Sequence, residues 1–195
     1  MPSPVPPPIP FADYAGFIFD CDGTLTDSMP VHYVAWRDTM AAHGIDFAED
    51  EFYSLGGMPT EKIIERLTTR EGVTVDVPTV AAEKEAAFER MIDTVRPKPH
   101  VLDWFDTAAR HGAVAVASGG ERISVHGQLR SIGRFDAAGA IVTAEDTARH
   151  KPEPDVFLEA ARRLSVAPER CLVFEDSPLG YRAAAAAGMD WVEVG

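Results

Sequence analysis

Short apolar runs alternate with longer segments of helical periodicity over the second half of the chain. The apolar runs lie at 113–117, 140–142, 171–174 and 191–194, and one earlier run, 16–20, precedes them. The intervening segments, near 100–110, 121–131, 153–164 and 178–187, have the spacing of helices. Short apolar strands separated by helices predict crossover connections and a parallel sheet. The predicted fold class is therefore α/β.

A different pattern occupies residues 28–95, where apolar residues recur at helical spacing. Pro30 suits the first turn of a helix that Gly44 stops, and two further helices follow it. The first predicted strand lies before this segment and the other strands lie after it. We therefore predict a small helical cap domain at 28–95, inserted after the first strand of a core formed by 12–27 and 96–195.

The N-terminus, MPSPVPPPIP, is dominated by proline. Proline removes the amide donor and fixes φ, so residues 1–11 are predicted to form an extended, flexible tail. The segment has neither the basic start nor the apolar stretch of a signal peptide, and the expected location is cytoplasmic.

The composition of the chain argues against several classes of binding partner. The chain has 195 residues with 18 basic and 31 acidic side chains, a net charge of −13. This charge argues against nucleic acid as a partner, and no apolar run approaches the roughly 18 residues of a membrane helix. Two cysteines, Cys21 and Cys171, lack CxxC spacing, which argues against structural zinc and a disulfide scaffold. We expect a small-molecule substrate, and a monomer by default.

Polar side chains cluster where the predicted strands end. They are Asp20 and Asp22 after the first strand, Ser118 and Gly119 after the second, Lys151 in a later loop, and Glu175 with Asp176 after the strand at 171–174. In open parallel sheets, ligands bind beyond the carboxyl ends of the strands. We therefore expect these groups to share one edge of the sheet.

Several carboxylates at one edge need counter-charges. Two like charges 4 Å apart repel by about 4 kcal/mol at an effective dielectric constant of 20. Mg²⁺ suits a site of few carboxylates with substrate phosphate and water, and Lys151 adds a second positive charge. The hydroxyl of Ser118 and the N–H groups of Gly119 and Gly120 are expected to bind phosphate.

The spacing of Asp20 and Asp22 suits two roles in one reaction. Residues i and i+2 of an extended chain project to the same side. One carboxylate can then attack phosphorus while the other transfers the proton of the leaving group. Cys21, between them, is expected to pack in the core.

Together these segments resemble the four motifs of the haloacid dehalogenase (HAD) superfamily, in its phosphatase branch. In order, they are Asp20-Cys21-Asp22-Gly23-Thr24, Ser118 in Val-Ala-Ser-Gly-Gly, Lys151 in His-Lys-Pro-Glu-Pro, and Glu175-Asp176-Ser177-Pro178. The resemblance implies a Rossmann-like core and an aspartyl-phosphate intermediate. It makes Asp20 the nucleophile and Asp22 the acid/base.

The resemblance also implies a site for Mg²⁺ and for the phosphoryl group. The metal ligands would be Asp20, the backbone carbonyl of Asp22, Asp176, and Glu175 alongside. Ser118 and Lys151 would hold the phosphoryl group.

The position of the insert and the Glu-Asp-Ser motif are similar to the beta-phosphoglucomutase subgroup, which includes sugar-phosphate phosphatases. His32 stands where that subgroup has a histidine that positions the acid/base aspartate; the alternative is a surface helix residue. The mutase carries a lysine at the position of Gly56 and an arginine at that of Thr60, and this chain has neither. Lys62, one turn on, is expected to be solvated.

The predicted function is a Mg²⁺-dependent phosphatase that hydrolyses a small phosphorylated metabolite, a sugar phosphate above all. One alternative is beta-phosphoglucomutase, which interconverts beta-glucose 1-phosphate and glucose 6-phosphate. An alternative of another class is a phosphoacceptor signalling domain, and the helical insert after the first motif argues against it.

Overall fold

The computed structural model describes residues 2–55 and 58–195. Two compact units divide the chain, one formed by the residues up to Asp27 with Arg96–Gly195, and the other by Ser28–Val95. The predicted difference at Gly56 lies outside the described residues. Within the described part of the chain, no helix is long and apolar enough to cross a membrane.

The first unit is built on a five-stranded parallel sheet, as the alternating pattern predicts. Its strands, with the sheet order β5-β4-β1-β6-β7, are β1 (Gly16–Phe19), β4 (Ala113–Ala117), β5 (Ala140–Val142), β6 (Cys171–Glu175) and β7 (Asp190–Glu193). All neighbouring pairs in this sheet are parallel. The central strand is β1, so its carboxyl end lies between those of β4 and β6.

Helices cover both faces of this sheet. They are α5 (Pro99–His111), α6 (Arg122–Ser131), α7 (Asp155–Leu164) and α8 (Pro178–Ala186). Side chains alternate along β1, so Phe17 and Phe19 pack with α5 and α6, whereas Ile18 packs with α7 and α8. Because both faces are buried, β1, β4, β5 and the first four residues of β6 are apolar, which made these strands recognisable in the sequence.

A two-residue antiparallel ribbon joins the points where the chain leaves and re-enters this unit. Its strands are β2 (Thr26–Asp27) and β3 (Arg96–Pro97). Such short strands carry no periodic signal, and the sequence did not predict them.

The second unit is helical. Its helices are α1 (Met29–Ala42), α2 (Glu49–Ser54), α3 (Thr60–Glu71) and α4 (Val77–Glu89). Three aromatic side chains, those of Trp36, Phe47 and Phe52, are buried together in its core. Phe52 lies on α2, a helix of six residues that the periodicity did not separate from its surroundings.

The N-terminal segment differs from its prediction. The sequence predicts a flexible tail, but the N–H of Val5 donates to the carbonyl of Trp191 at 2.7 Å, and the N–H of Trp191 donates to the carbonyl of Ser3. Val5 and Ile9 also pack against the core. The reason is that β7 is an edge strand with unpaired backbone groups, and the non-proline residues of the segment retain the amides to pair with it.

Candidate active site

The turn after β1 brings together the two aspartates of the first motif. Asp20 is 4% exposed, and its N–H continues the strand pairing by donating to the carbonyl of Phe174. Gly23 adopts φ +79°, and a Cβ there would overlap the carboxylate of Asp176. Glycine is therefore required at this turn both for the backbone conformation and for the approach of Asp176.

Lys151 joins two of the predicted carboxylates. Its Nζ donates to Oδ1 of Asp20 and to Oε2 of Glu175, each at 2.6 Å. Burial alone lowers the pKa of Lys151, but the two carboxylates outweigh it and raise the pKa above its ordinary value. The lysine therefore stays charged, and one of its three N–H donors remains for another acceptor.

Three carboxylates meet at the sheet edge. Oxygen atoms of Asp20, Glu175 and Asp176 all lie within 4.8 Å of one another. Burial and then the charge of Glu175 raise the pKa of Asp20 well above its usual range, and the same two causes, in the same order, raise the pKa of Asp176 to about 6. The charged forms are thus disfavoured without a further cation.

This donor set fits a hard divalent cation. Carboxylate oxygens are the ligands that Mg²⁺ and Ca²⁺ prefer, and an added positive charge relieves the repulsion that Lys151 leaves uncompensated. The hydroxyl of Thr24 donates to Oδ1 of Asp176 at 2.8 Å and fixes one of its oxygens. The residues present can therefore hold the metal that the sequence predicts.

The residues at the start of α8 hold the carboxylate of Glu175 in place. Its Oε1 accepts from the hydroxyl of Ser177 at 2.7 Å and from the Ser177 N–H. A Cβ at Gly180 would overlap the carboxyl group of Glu175. One carboxylate oxygen is thus anchored to the helix while the other holds Lys151.

The turn after β4 carries the predicted phosphate-binding groups. Ser118 is 1% exposed, and its Oγ accepts the N–H of Gly120 at 3.0 Å. The space beside Gly119 is open, since a Cβ there would meet nothing within 4 Å. The N–H of Arg122, at the start of α6, already donates to Glu145, so this helix terminus offers less to a phosphate than its position suggests.

Asp22 has a partner that sequence analysis did not identify. Nε2 of Gln128, on α6, donates to Oδ1 of Asp22 at 2.9 Å. A single glutamine 106 positions away, on a helix with no motif around it, gives no sequence signal for this contact.

His32 lies on α1 in the helical unit. Its ring stacks on Phe88 with centroids 3.7 Å apart, and its Nδ1 lies 3.1 Å from Nζ of Lys84. Lys84 is buried beside Glu85, and sequence analysis missed it as well. The role of His32 in positioning Asp22 stays a prediction.

All four motifs lie within the part of the chain that matches a known protein family. The sequence profile of haloacid dehalogenase-like hydrolases matches residues 14–188. Fructose-1-phosphate phosphatase YqaB of Escherichia coli (strain K12) is 37% identical over 182 residues, which cover 93% of this chain and 96% of that protein. Hexitol phosphatase A of the same organism is 31% identical, with 92% of this chain and 82% of that protein covered.

Solved structures show the same fold. CbbY from Rhodobacter sphaeroides, crystallised with phosphate, superposes with a TM-score of 0.84 at 27% identity and covers 93% of this chain and 87% of its own. Beta-phosphoglucomutase from Clostridium difficile gives a TM-score of 0.83 at 27% identity, covering 93% of this chain and 85% of its own.

Proposed function

The chain belongs to the haloacid dehalogenase-like hydrolase family, and from this premise we propose that it is a Mg²⁺-dependent phosphatase acting on sugar phosphates. The observation that carries the proposal is the convergence of Asp20, Lys151, Glu175 and Asp176 at the carboxyl edge of the sheet. A nucleophilic carboxylate, a fixed ammonium group and a metal-binding set of oxygens are the parts that phosphoryl transfer requires.

In the first step, a carboxylate oxygen of Asp20 forms a bond to phosphorus while the bond from phosphorus to the sugar oxygen breaks. The sugar oxygen keeps the electron pair and takes a proton from Asp22. Lys151 and the hydroxyl of Ser118 stabilise the charge on the phosphoryl oxygens.

In the second step, water attacks the phosphorus of the aspartyl phosphate. The bond to Asp20 breaks, the carboxylate is released, and Asp22 takes the proton of the water, which restores its starting state. The carboxylates of Asp20, Glu175 and Asp176 would hold the metal. Its positive charge would reduce the repulsion between the Asp20 carboxylate and the negatively charged phosphate group.

The substrate class follows from the relatives. Two of the curated relatives, which cover 93% and 92% of this chain, are by name phosphatases of fructose 1-phosphate and of hexitol phosphates. We therefore place phosphorylated hexoses and hexitols first among the candidate substrates.

The test is release of inorganic phosphate from a panel of sugar phosphates that includes fructose 1-phosphate, hexitol phosphates and beta-glucose 1-phosphate. We expect turnover that requires Mg²⁺ and is abolished by Asp20→Asn, a change that retains size and removes the charge. Turnover undiminished in Asp20→Asn, or in the presence of EDTA, would contradict the mechanism.

Beta-phosphoglucomutase is the second candidate, favoured by the structural likeness to the Clostridium difficile enzyme. Thr60 stands where the mutase has an arginine, which weakens this assignment. Formation of glucose 6-phosphate from beta-glucose 1-phosphate, dependent on a bisphosphate activator, would establish it over the phosphatase.

A further inference from the structure

One polar side chain in the core of the sheet unit is not explained by packing. Gln128 is completely buried on α6, and the neighbouring Val125 and Leu129 of that helix belong to the apolar core. An apolar side chain would satisfy this position, because a buried amide is unfavourable unless both of its polar ends are hydrogen-bonded.

Both ends of the Gln128 amide are bonded. Its Nε2 donates to Oδ1 of Asp22 at 2.9 Å, and its Oε1 accepts from the hydroxyl of Thr26 at 2.6 Å. With the NH₂ end of the amide facing Asp22, Oδ1 acts as an acceptor, and the proton that Asp22 delivers is carried by Oδ2. The hydroxyl of Thr26 therefore holds the oxygen end of the amide, opposite the end that faces Asp22.

The two oxygens of Asp22 have different surroundings. Oδ1 lies against Gln128, whereas Oδ2 lies beside the turn that carries Ser118, 3.1 Å from where a Cβ at Gly120 would stand. This turn is the proposed phosphate-binding segment. The contact with Gln128 thus sets which carboxylate oxygen faces the reacting group.

We propose that Gln128 is a positioning residue for Asp22, holding Oδ1 so that Oδ2 delivers the proton to the leaving alcohol. The inference rests on the proposed function. In the step concerned, the bond from phosphorus to the sugar oxygen breaks, that oxygen keeps the electron pair and takes the Asp22 proton, and the new bond joins phosphorus to Asp20.

This role is tested by comparing the hydrolysis of two phosphate esters. The leaving group of one ester needs a proton, and that of the other does not. Gln128→Met retains the length and volume of the side chain and removes both polar ends. The Thr26 hydroxyl keeps the carbonyl of Cys21, 3.1 Å away, as its acceptor. With the sugar phosphate hydrolysed fastest in the panel, we expect kcat/KM to fall roughly tenfold or more.

With p-nitrophenyl phosphate, whose leaving group departs without a proton, we expect a change of less than about twofold. Leu129→Met is the matched control, since it introduces the same side chain at the next position of the helix and changes both esters alike. Thr26→Val removes the closer of the two donors to Oε1 of Gln128 and leaves the Cys21 thiol, 3.8 Å away. This variant should therefore show a smaller loss with the same selectivity for the sugar ester.

An equal loss with both esters, or no loss, in a Gln128→Met variant that melts cooperatively would overturn the positioning role alone. If that variant does not fold, Thr26→Val decides, and a non-selective effect there overturns the role. A wild-type protein that hydrolyses neither ester would overturn the proposed function and this inference with it.

Discussion

Nζ of Lys151 donates to Oδ1 of Asp20 at 2.6 Å, although the two residues are 131 positions apart. Both side chains are nearly enclosed, with 12% and 6% of their surfaces exposed. A charged hydrogen bond in such surroundings fixes geometry, and removal of one partner leaves the other as an uncompensated buried charge. The pair thus ties the candidate nucleophile to the loop before α7.

Replacement of Lys151 by methionine is expected to reduce both stability and activity. The variant leaves Asp20 and Glu175 together without their shared cation, which costs about 3–5 kcal/mol in the free energy of unfolding. It also removes a positive charge from the phosphoryl group, which is expected to lower kcat/KM about a hundredfold or more. Urea unfolding and steady-state kinetics measure the two effects.

Lys62→Met is the matched control for Lys151→Met. Lys62 is exposed and pairs with Glu65 on the same helix, so its loss should leave the free energy of unfolding nearly unchanged. A Lys151→Met protein with wild-type activity would contradict the proposed mechanism.

Metal binding is expected to be visible without any substrate. Mg²⁺ at about ten times its dissociation constant stabilises the folded state by about 1.4 kcal/mol, which raises the melting temperature by roughly 3–5 °C in a chain of this size. Asp176→Asn should abolish most of this rise, because it removes one of the three clustered charges. Differential scanning fluorimetry with and without Mg²⁺ measures the shift.

Two further melting measurements, one without Mg²⁺ and one on a control variant, make this metal test more specific. The pKa of Asp176 is raised by burial and by Glu175, so its ionised form is disfavoured in the folded state. Without metal, Asp176→Asn should therefore melt no lower than the wild type. Asp136→Asn, at an exposed position of the same unit, should retain the full Mg²⁺ shift; a wild type that does not respond to Mg²⁺ would exclude the site.

Because Gly180 lies against Glu175, adding one methyl group at position 180 is expected to disturb the contact between Glu175 and Lys151. Gly180→Ala places a Cβ where the Glu175 carboxyl group lies, so Glu175 must move and release Lys151. We expect a loss of about 1–3 kcal/mol in stability and a fall in kcat/KM. In a Glu175→Ala background the same substitution should cost almost nothing, and an additive pair of effects would refute the coupling.

Much of the fold was predictable because its signals are local. Each strand of the sheet contains a short apolar run, helical segments separate the runs, and the parallel α/β fold they predict is confirmed. The resemblance to haloacid dehalogenase-like hydrolases, inferred from four short motifs, is confirmed as well. The pairing of Val5 with Trp191 was not predictable, since it depends on an edge strand 186 positions away.

The site was predictable only where a topological rule applies. Asp20, Lys151 and Glu175 could be expected to meet because strand ends of a parallel sheet share one edge. The contact of Gln128 with Asp22 follows no such rule, because it depends on the rotation of α6 and on the length of one side chain. Similarly, nothing in the sequence distinguishes Lys84, beside His32, from the exposed Lys62 of α3.

A charged cluster that joins the start of α6 to the segment after β5 predicts how stability changes in acid. The carboxylate of Asp146 accepts from the N–H and the hydroxyl of Thr143 and from the guanidinium groups of Arg163 and Arg122. Burial alone raises the pKa of Asp146, but the bonds from Arg163 and Thr143 outweigh it and lower the pKa to about 2. Its carboxylate therefore stabilises the folded state at neutral pH.

Asp146→Asn should be less stable than the wild type by about 2 kcal/mol at pH 7, because the charged form is the one that the folded state favours. The unfolded carboxyl group titrates near pH 3.8, so the difference is complete above that pH, falls to roughly half at pH 3 and is lost below about pH 2. Urea unfolding of both proteins at pH 7 and pH 3 measures it, with Asp103→Asn, at an exposed position, as the control. A difference between wild type and Asp146→Asn that stays constant from pH 7 to pH 3 would show that the charge of Asp146 is not what its neighbours stabilise.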